Sequence, residues 1–373
     1  MKRSCKWPEV AAFRLIRHHL VGQNPANFIA IGQNICGVQA QVMSAAEMQL
    51  WARRHDLTRA EIHSALWEKR RLVKTYGMRG TLHLLPAADF SIYINALKKS
   101  QVESARRSMS RFGITAKEAE GLNEAAMAAL SGGPLTKGEL TERVKPKVGK
   151  KVRAGMAQFW NIFRSAFAAG LICYGPESGK EAVFIRVDQW LAKQKEISET
   201  EAQQMLLRRY LRAYGPATLR DFSKWTGLLM KEAKAVWKML QEELIEISIE
   251  DERAFLLRDD HDQLINGSPD GQILRLLPHF DPYLLAHADK NHLVDSSHYK
   301  RVYRNQGWIS PVILLDGKVI GVWSYTRRAK RWALEIEPFQ KFSKAIGAKI
   351  ETEAASLGNF LGTSWEIKFG NPS

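Results

Sequence analysis

Gly133-Pro134-Leu135-Thr136-Lys137-Gly138-Glu139-Leu140 and Gly215-Pro216-Ala217-Thr218-Leu219-Arg220-Asp221-Phe222 are two versions of one pattern, GPxTxx[acidic][apolar], set 82 residues apart. In each, a threonine is followed three residues later by a carboxylate. That spacing makes a capping box, in which hydroxyl and carboxylate satisfy two otherwise orphaned amides at a helix start. A repeat of this length points to repeated supersecondary units.

The sequence after each copy runs in the same order. Beyond Thr136 come a short helix, a second helical pattern over 156–164, the strand reading Leu171-Ile172-Cys173-Tyr174, turn residues 175–179 and Ala182-Val183-Phe184-Ile185. Beyond Thr218 come a helix to Trp225, a break at Gly227, a helix from Met230 to Leu240, and two strand readings, 244–249 and 254–257. The first third repeats the plan more loosely, with helices at 8–20, 44–54 and 58–70 and a ribbon from Leu72 to Leu85 across Gly77 and Gly80. Further capping boxes fall at Ser44/Glu47, Thr58/Glu61 and Thr115/Glu118. Three helices followed by a two-stranded ribbon is the winged variant of the helix-turn-helix. The expected fold is therefore α+β: three tandem winged-helix units over 1–113, 114–190 and 191–271, then a small β-barrel-like domain over 272–373. In that last region Asp316-Gly317 joins two β-rich runs, 311–315 and 318–323, and Asp-Gly favours the type I′ hairpin turn. A second ribbon joins 322–325 to 332–336, with Arg327, Arg328, Lys330 and Arg331 near its tip. A helix near 339–357 and a strand near 364–369 end the chain.

Charge narrows the partner. The 373 residues carry 55 Lys+Arg against 39 Asp+Glu, a net +16. Residues 1–113 hold 18 bases and 7 acids, so most of the excess lies in the first third. The acid-free run from Lys145 to Arg153 adds Lys147, Lys150, Lys151 and Arg153. Segregation of this kind favours a polyanion, and duplex DNA binds cationic surfaces by releasing condensed counterions. No apolar run approaches the ~20 residues that span a bilayer, no basic amphipathic helix stands apart, and Arg14 and Arg17 interrupt the segment after the N-terminus, so neither a membrane partner nor a secretory signal is expected. The expected location is the cytoplasm. Three scattered cysteines make neither a disulfide framework nor a zinc site. The ten histidines form no HExxH, and GxxxxGK[ST], GxGxxG and GxSxG are missing, so no metal and no cofactor is expected.

The chemistry-bearing candidates begin at Ile35-Cys36-Gly37-Val38-Gln39-Ala40-Gln41. In extended chain, side chains two apart point the same way, so Gln39 and Gln41 converge. Amides both donate and accept, and such a pair can hold a water or contact a sugar; two glutamines near a helix start are also read as solvated or backbone-bonded. Arg79-Gly80-Thr81-Leu82-His83 lies on the first ribbon, where Arg79 suits a phosphate through its planar fork. His83, flanked by leucines, reads equally as a core histidine.

Gly37-Val38-Gln39-Ala40-Gln41, Arg79-Gly80-Thr81-Leu82-His83, Leu277-Pro278-His279-Phe280-Asp281-Pro282-Tyr283 and Gly307-Trp308-Ile309-Ser310-Pro311-Val312, taken together and in this order, resemble one bacterial family. It is the tandem winged-helix DNA glycosylase family, the AlkZ/YcaQ group. The resemblance implies a monomeric cradle for double-stranded DNA. It also implies removal of N7-alkylated purines, unhooking of N7-linked interstrand crosslinks, and a catalytic Gln-x-Gln or Gln-x-Asp motif. Gln39 and Gln41 match the first form, holding the water and the sugar cation. Arg79, Thr81, His83, Lys147, Lys150, Lys151, Arg153, Arg327, Arg328, Lys330 and Arg331 are the implied DNA contacts, and His279 and Asp281 are site-facing candidates. The competing reading is a non-enzymatic winged-helix regulator, since the scaffold alone does not choose a function.

Overall fold

The structure, a computed structural model, describes residues 3–22, 27–158, 162–179, 181–328 and 331–372. Four sheets organise the described chain. β2 (Val38–Gln39), β4 (Leu82–Pro86) and β3 (Leu72–Tyr76) form the first, in that spatial order. β5 (Leu135–Thr136), β7 (Glu181–Arg186) and β6 (Ile172–Ser178) form the second. β1 (Arg3–Cys5), β8 (Leu244–Ile249) and β9 (Glu252–Leu257) form the third. The fourth runs β10 (Leu274–Leu277), β11 (Val312–Leu315), β12 (Lys318–Arg328), β13 (Arg331–Pro338), β14 (Trp365–Phe369).

The three small sheets share a construction. Each closes a set of three helices: Phe28–Asn34, Met43–Trp51 and Arg59–His63; Ala116–Ala129, Lys137–Val144 and Lys150–Gln158; Glu199–Tyr214, Leu219–Thr226 and Met230–Met239. In each, the extended residues between the first two helices pair with the last strand of the ribbon: β2 with β4, β5 with β7, and Ala217 with Phe255 of β9. The capping boxes explain why these helices start where they do. Thr58, Thr115, Thr136 and Thr218 each accept from the third helical amide while the following acid accepts from the threonine amide. Ser44/Glu47 does not act this way: its helix begins at Met43 behind Val42, which offers no capping group, so the cap lies two residues before Ser44.

Two helices depart from the expected arrangement. Residues Trp7–Arg17 are helical, but this helix packs with the third sheet rather than the first. Cys5, Val10 and Phe13 share a core with Ile245, Ile247, Ile249, Leu256 and Leu264, and β1 lies parallel to β8. Its place beside the first sheet is taken by Phe28–Asn34. A 21-residue helix, Phe90–Ser110, follows β4 and was not expected from the periodicity.

The C-terminal sheet is open rather than barrel-like: β10 and β14 are its edges. The reason lies in helix Lys344–Leu361, which carries the chain back so that β14 joins β13 in parallel instead of closing against β10. Its buried Ile350, Ala354 and Leu357 lie in the core, and its Glu353 pairs with Arg275 of β10 at 3.1 Å. The expected Asp316-Gly317 turn is present, with both residues at positive φ (47° and 85°). One hydrophobic core joins residues 15–84 to 273–360, with Trp51 and Trp323 fully buried in it, so the first sheet and the last are packed as one body.

Candidate active site

The approach to Gln39 is shaped by Cys36 and Gly37, both at positive φ (62° and 80°). A Cβ at Gly37 would sit 2.6 Å from Leu85 Cδ2 and 2.8 Å from the Leu84 carbonyl, so the chain can enter the sheet here only through glycine. Gln39 then pairs with His83 across β2 and β4, and the Ala40 amide donates to the Leu82 carbonyl at 2.7 Å. The segment is thus partly strand, and residues 39 and 41 lie on either side of a backbone bond to β4. Gln39 is 6% exposed, whereas Gln41 is exposed.

Both amide oxygens face inward. Gln39 Oε1 accepts from Arg79 Nη2 at 3.1 Å, and Gln41 Oε1 accepts a longer bond, 3.4 Å, from the Leu82 amide. Arg79 sits at φ 56° between β3 and β4, and its Nη1 donates to the Trp225 carbonyl at 2.9 Å. Burial lowers its pKa to about 10, so it stays charged at neutral pH. Arg164 donates to the Gly80 carbonyl at 3.3 Å beside it. Lys290 is buried, donates to the Leu284 carbonyl at 2.7 Å and lies over the Tyr303 ring. Burial first, and Arg79 next, push its pKa down to about 7. Arg79 thus touches Gln39 directly, and Lys290 lies close enough to Arg79 to feel its charge.

The carboxylates in the same web are committed elsewhere. Asp221 caps its helix through Thr218 and accepts from the Ala288 amide at 2.7 Å. Asp281 is fully buried and takes two 2.8 Å bonds from Arg53 while accepting from the Tyr283 amide. It holds the C-terminal region to the first helices and does not face solvent. His279 is half-buried, with Nδ1 2.7 Å from the Ile309 carbonyl and its ring against Trp308. Its backbone is bridged to the glutamine segment by Gln49, whose Nε2 donates to the carbonyls of both Gln39 (3.1 Å) and His279 (3.0 Å).

The remaining candidates separate. Thr81 donates its hydroxyl to the Met78 carbonyl. His83 is buried, bonded to the Thr81 carbonyl, and its pKa is pushed to about 3 by burial and by Arg79, so it is a neutral core histidine. Lys147, Lys150, Lys151 and Arg153 are all exposed around the start of helix Lys150–Gln158. Lys330 and the side chains of Arg327, Arg328 and Arg331 lie outside the described residues. Gln49, Arg164, Trp225 and Lys290 were not marked by any motif; only the fold brings Gln49 to Gln39, and Arg164, Trp225 and Lys290 to the Arg79–Gly80 turn beside it.

Gln39 held by a buried arginine beside the exposed Gln41, on a basic α+β scaffold, suits a protein that acts on a polyanion such as DNA. Comparison makes the assignment specific. The sequence model of the family described as DNA glycosylase AlkZ-like matches residues 33–360, and the chain belongs to that family. The interstrand DNA cross-link repair glycosylase of Streptomyces sahachiroi is 30% identical over 369 residues, covering 96% of this chain and 97% of its own. The solved structure of the Streptomyces sahachiroi DNA glycosylase AlkZ superposes with a TM-score of 0.87 at 27% identity, covering 99% of this chain and all of that one.

Proposed function

We propose that this DNA glycosylase removes N7-alkylated purines from double-stranded DNA and unhooks N7-linked interstrand crosslinks, with Gln39 and Gln41 at the reacting nucleotide. The observation that carries the reading is chemical: among the described residues, no carboxylate hydrogen-bonds to either amide. An amide cannot take a proton as a carboxylate does, so general-base catalysis is not supplied here. N7-alkylation removes the need for it. The alkylated purine already carries positive charge; when the bond from C1′ to N9 breaks, its electron pair neutralises the ring. Water then adds to C1′ and releases its proton to solvent. Positioned dipoles suffice for such a leaving group and serve an undamaged base poorly.

The three helix-and-ribbon sets read as winged-helix units lying within 1–113, 114–190 and 191–271, with residues 3–17 packed onto the last of the three and 272–373 as the closing domain. Lys147, Lys150, Lys151 and Arg153, together with Arg327, Arg328, Lys330 and Arg331, are the proposed phosphate contacts of a monomeric cradle. Crosslinked bases cannot swing into a deep pocket, which favours an open site.

The test is single-turnover release of N7-methylguanine from duplex by the wild type, Gln39→Ala and Gln41→Ala. Loss of about 100-fold or more in either variant is expected, the scale of removing one positioned dipole. Wild-type release equalled by both variants would remove the reading.

A further inference from the structure

We propose that Arg79 is a positioning residue that locks Gln39 with its oxygen turned inward and its NH2 group turned toward the substrate, and that the lock is closed from the distant helix Leu219–Thr226. This rests on the reading of Gln39 as a residue at the reacting nucleotide, and it changes what that residue does there.

The orientation follows from donor chemistry. A guanidinium has only donors, so the Gln39 atom 3.1 Å from Arg79 Nη2 is the carbonyl oxygen. Gln41 is turned in the same sense by a backbone amide, which also only donates. Among the described residues neither Nε2 donates to a protein acceptor. The pair therefore offers donors to whatever enters. An oxygen already bonded to a cation is a poor stabiliser of a sugar cation. The same bond polarises the amide and strengthens its N–H groups as donors. Gln39 thus acts by donating to a lone pair at the reaction centre, on the departing purine or the incoming water.

Arg79 is itself held from 146 residues away. Its Nη1 donates to the Trp225 carbonyl at the end of helix Leu219–Thr226, where unsatisfied carbonyls and the negative end of the helix dipole favour a cation. The next turn brings Gly227 against its backbone: a Cβ there would meet Arg79 Cα at 3.1 Å, and φ is 81°. With one amino group on Trp225 and the other on Gln39, the fork is spent on the protein rather than on a phosphate.

Duplex carrying one N7-methylguanine tests this through two separate numbers, the dissociation constant and the single-turnover rate at saturating protein. Gln39→Glu keeps the oxygen that accepts from Arg79 and removes the NH2 donor. Its saturating rate is expected to fall about 100-fold, as far as that of Gln39→Ala. Arg79→Ala is expected to lower the saturating rate by about 10-fold or more with binding changed less than about 3-fold, and Arg79→Lys to recover part of the rate. A Gln39→Glu enzyme running at the wild-type rate would overturn the donor assignment. Weakened binding with an unchanged saturating rate in Arg79→Ala would show a phosphate contact and overturn the lock. If Arg79→Ala does not fold, Arg79→Lys and Gln39→Glu decide. A wild type that releases nothing would instead defeat the underlying reading of function, and is told apart by that control.

Discussion

Removing the Asp281 carboxylate exposes what this residue is for. Asp281 and Arg53 are both fully buried, joined by two 2.8 Å bonds, and Asp281 also accepts from the Tyr283 amide at 2.9 Å. Asp281→Ala would leave the guanidinium with the Gln49 carbonyl at 2.8 Å and the His18 ring at 3.4 Å, and no counter-charge. Breaking one side of a buried pair costs about 3–5 kcal/mol, because the remaining charge is stranded away from water. Native stability is itself only about 5–15 kcal/mol, so roughly a fifth or more of it goes. Asp281→Asn keeps one oxygen, able to accept from both the Tyr283 amide and Arg53 Nη2, but loses the acceptor for Arg53 Nη1, and should cost roughly 1.5–3 kcal/mol, the scale of a charge-assisted bond. Urea unfolding of wild type and both variants measures the loss, and N7-methylguanine release per folded molecule is read on the same samples. An Asp281→Ala protein within about 1 kcal/mol of wild type would refute the structural account. So would a stable Asp281→Asn protein that no longer excises, since that assigns the carboxylate to the chemistry.

Two other outcomes follow from charge. His83 ionises near pH 3 when folded and near 6.5 when unfolded, so below pH 6.5 the unfolded chain takes up a proton that the folded one refuses. Stability therefore falls as pH drops from 6.5 toward 3, by roughly 2–3 kcal/mol between 6.5 and 4.5 from this group. His83→Gln should flatten that slope in urea titrations at several pH values, and an unaltered slope would deny the buried neutral state. Replacing Lys147, Lys150, Lys151 and Arg153 with alanine should reduce the salt dependence of duplex binding by about 0.9 in logarithmic slope for each lost phosphate contact. The saturating excision rate should not change, and an undiminished slope would place DNA elsewhere.

Local chemistry was legible in the chain. Capping boxes at Thr58, Thr115, Thr136 and Thr218 fixed helix starts because donor and acceptor lie three residues apart, and Asp316-Gly317 fixed a turn because its dihedral demands are its own. Ser44 misled because the helix starts behind Val42, two residues before Ser44, which leaves its hydroxyl inside the first turn instead of at the cap. The family was readable for the same reason, through short motifs in a fixed order.

Partnership over distance was decided by the tertiary structure alone. Helix Trp7–Arg17 joins the third sheet, and helix Lys344–Leu361 leaves the last sheet open. Arg79 reads as a phosphate ligand in isolation, and becomes the clamp on Gln39 only when the fold brings the Trp225 carbonyl and Gly227 against it. Periodicity and motif record what a residue can offer. Which donor meets which acceptor depends on burial and loop closure across more than a hundred residues, and that information exists only once the chain has packed.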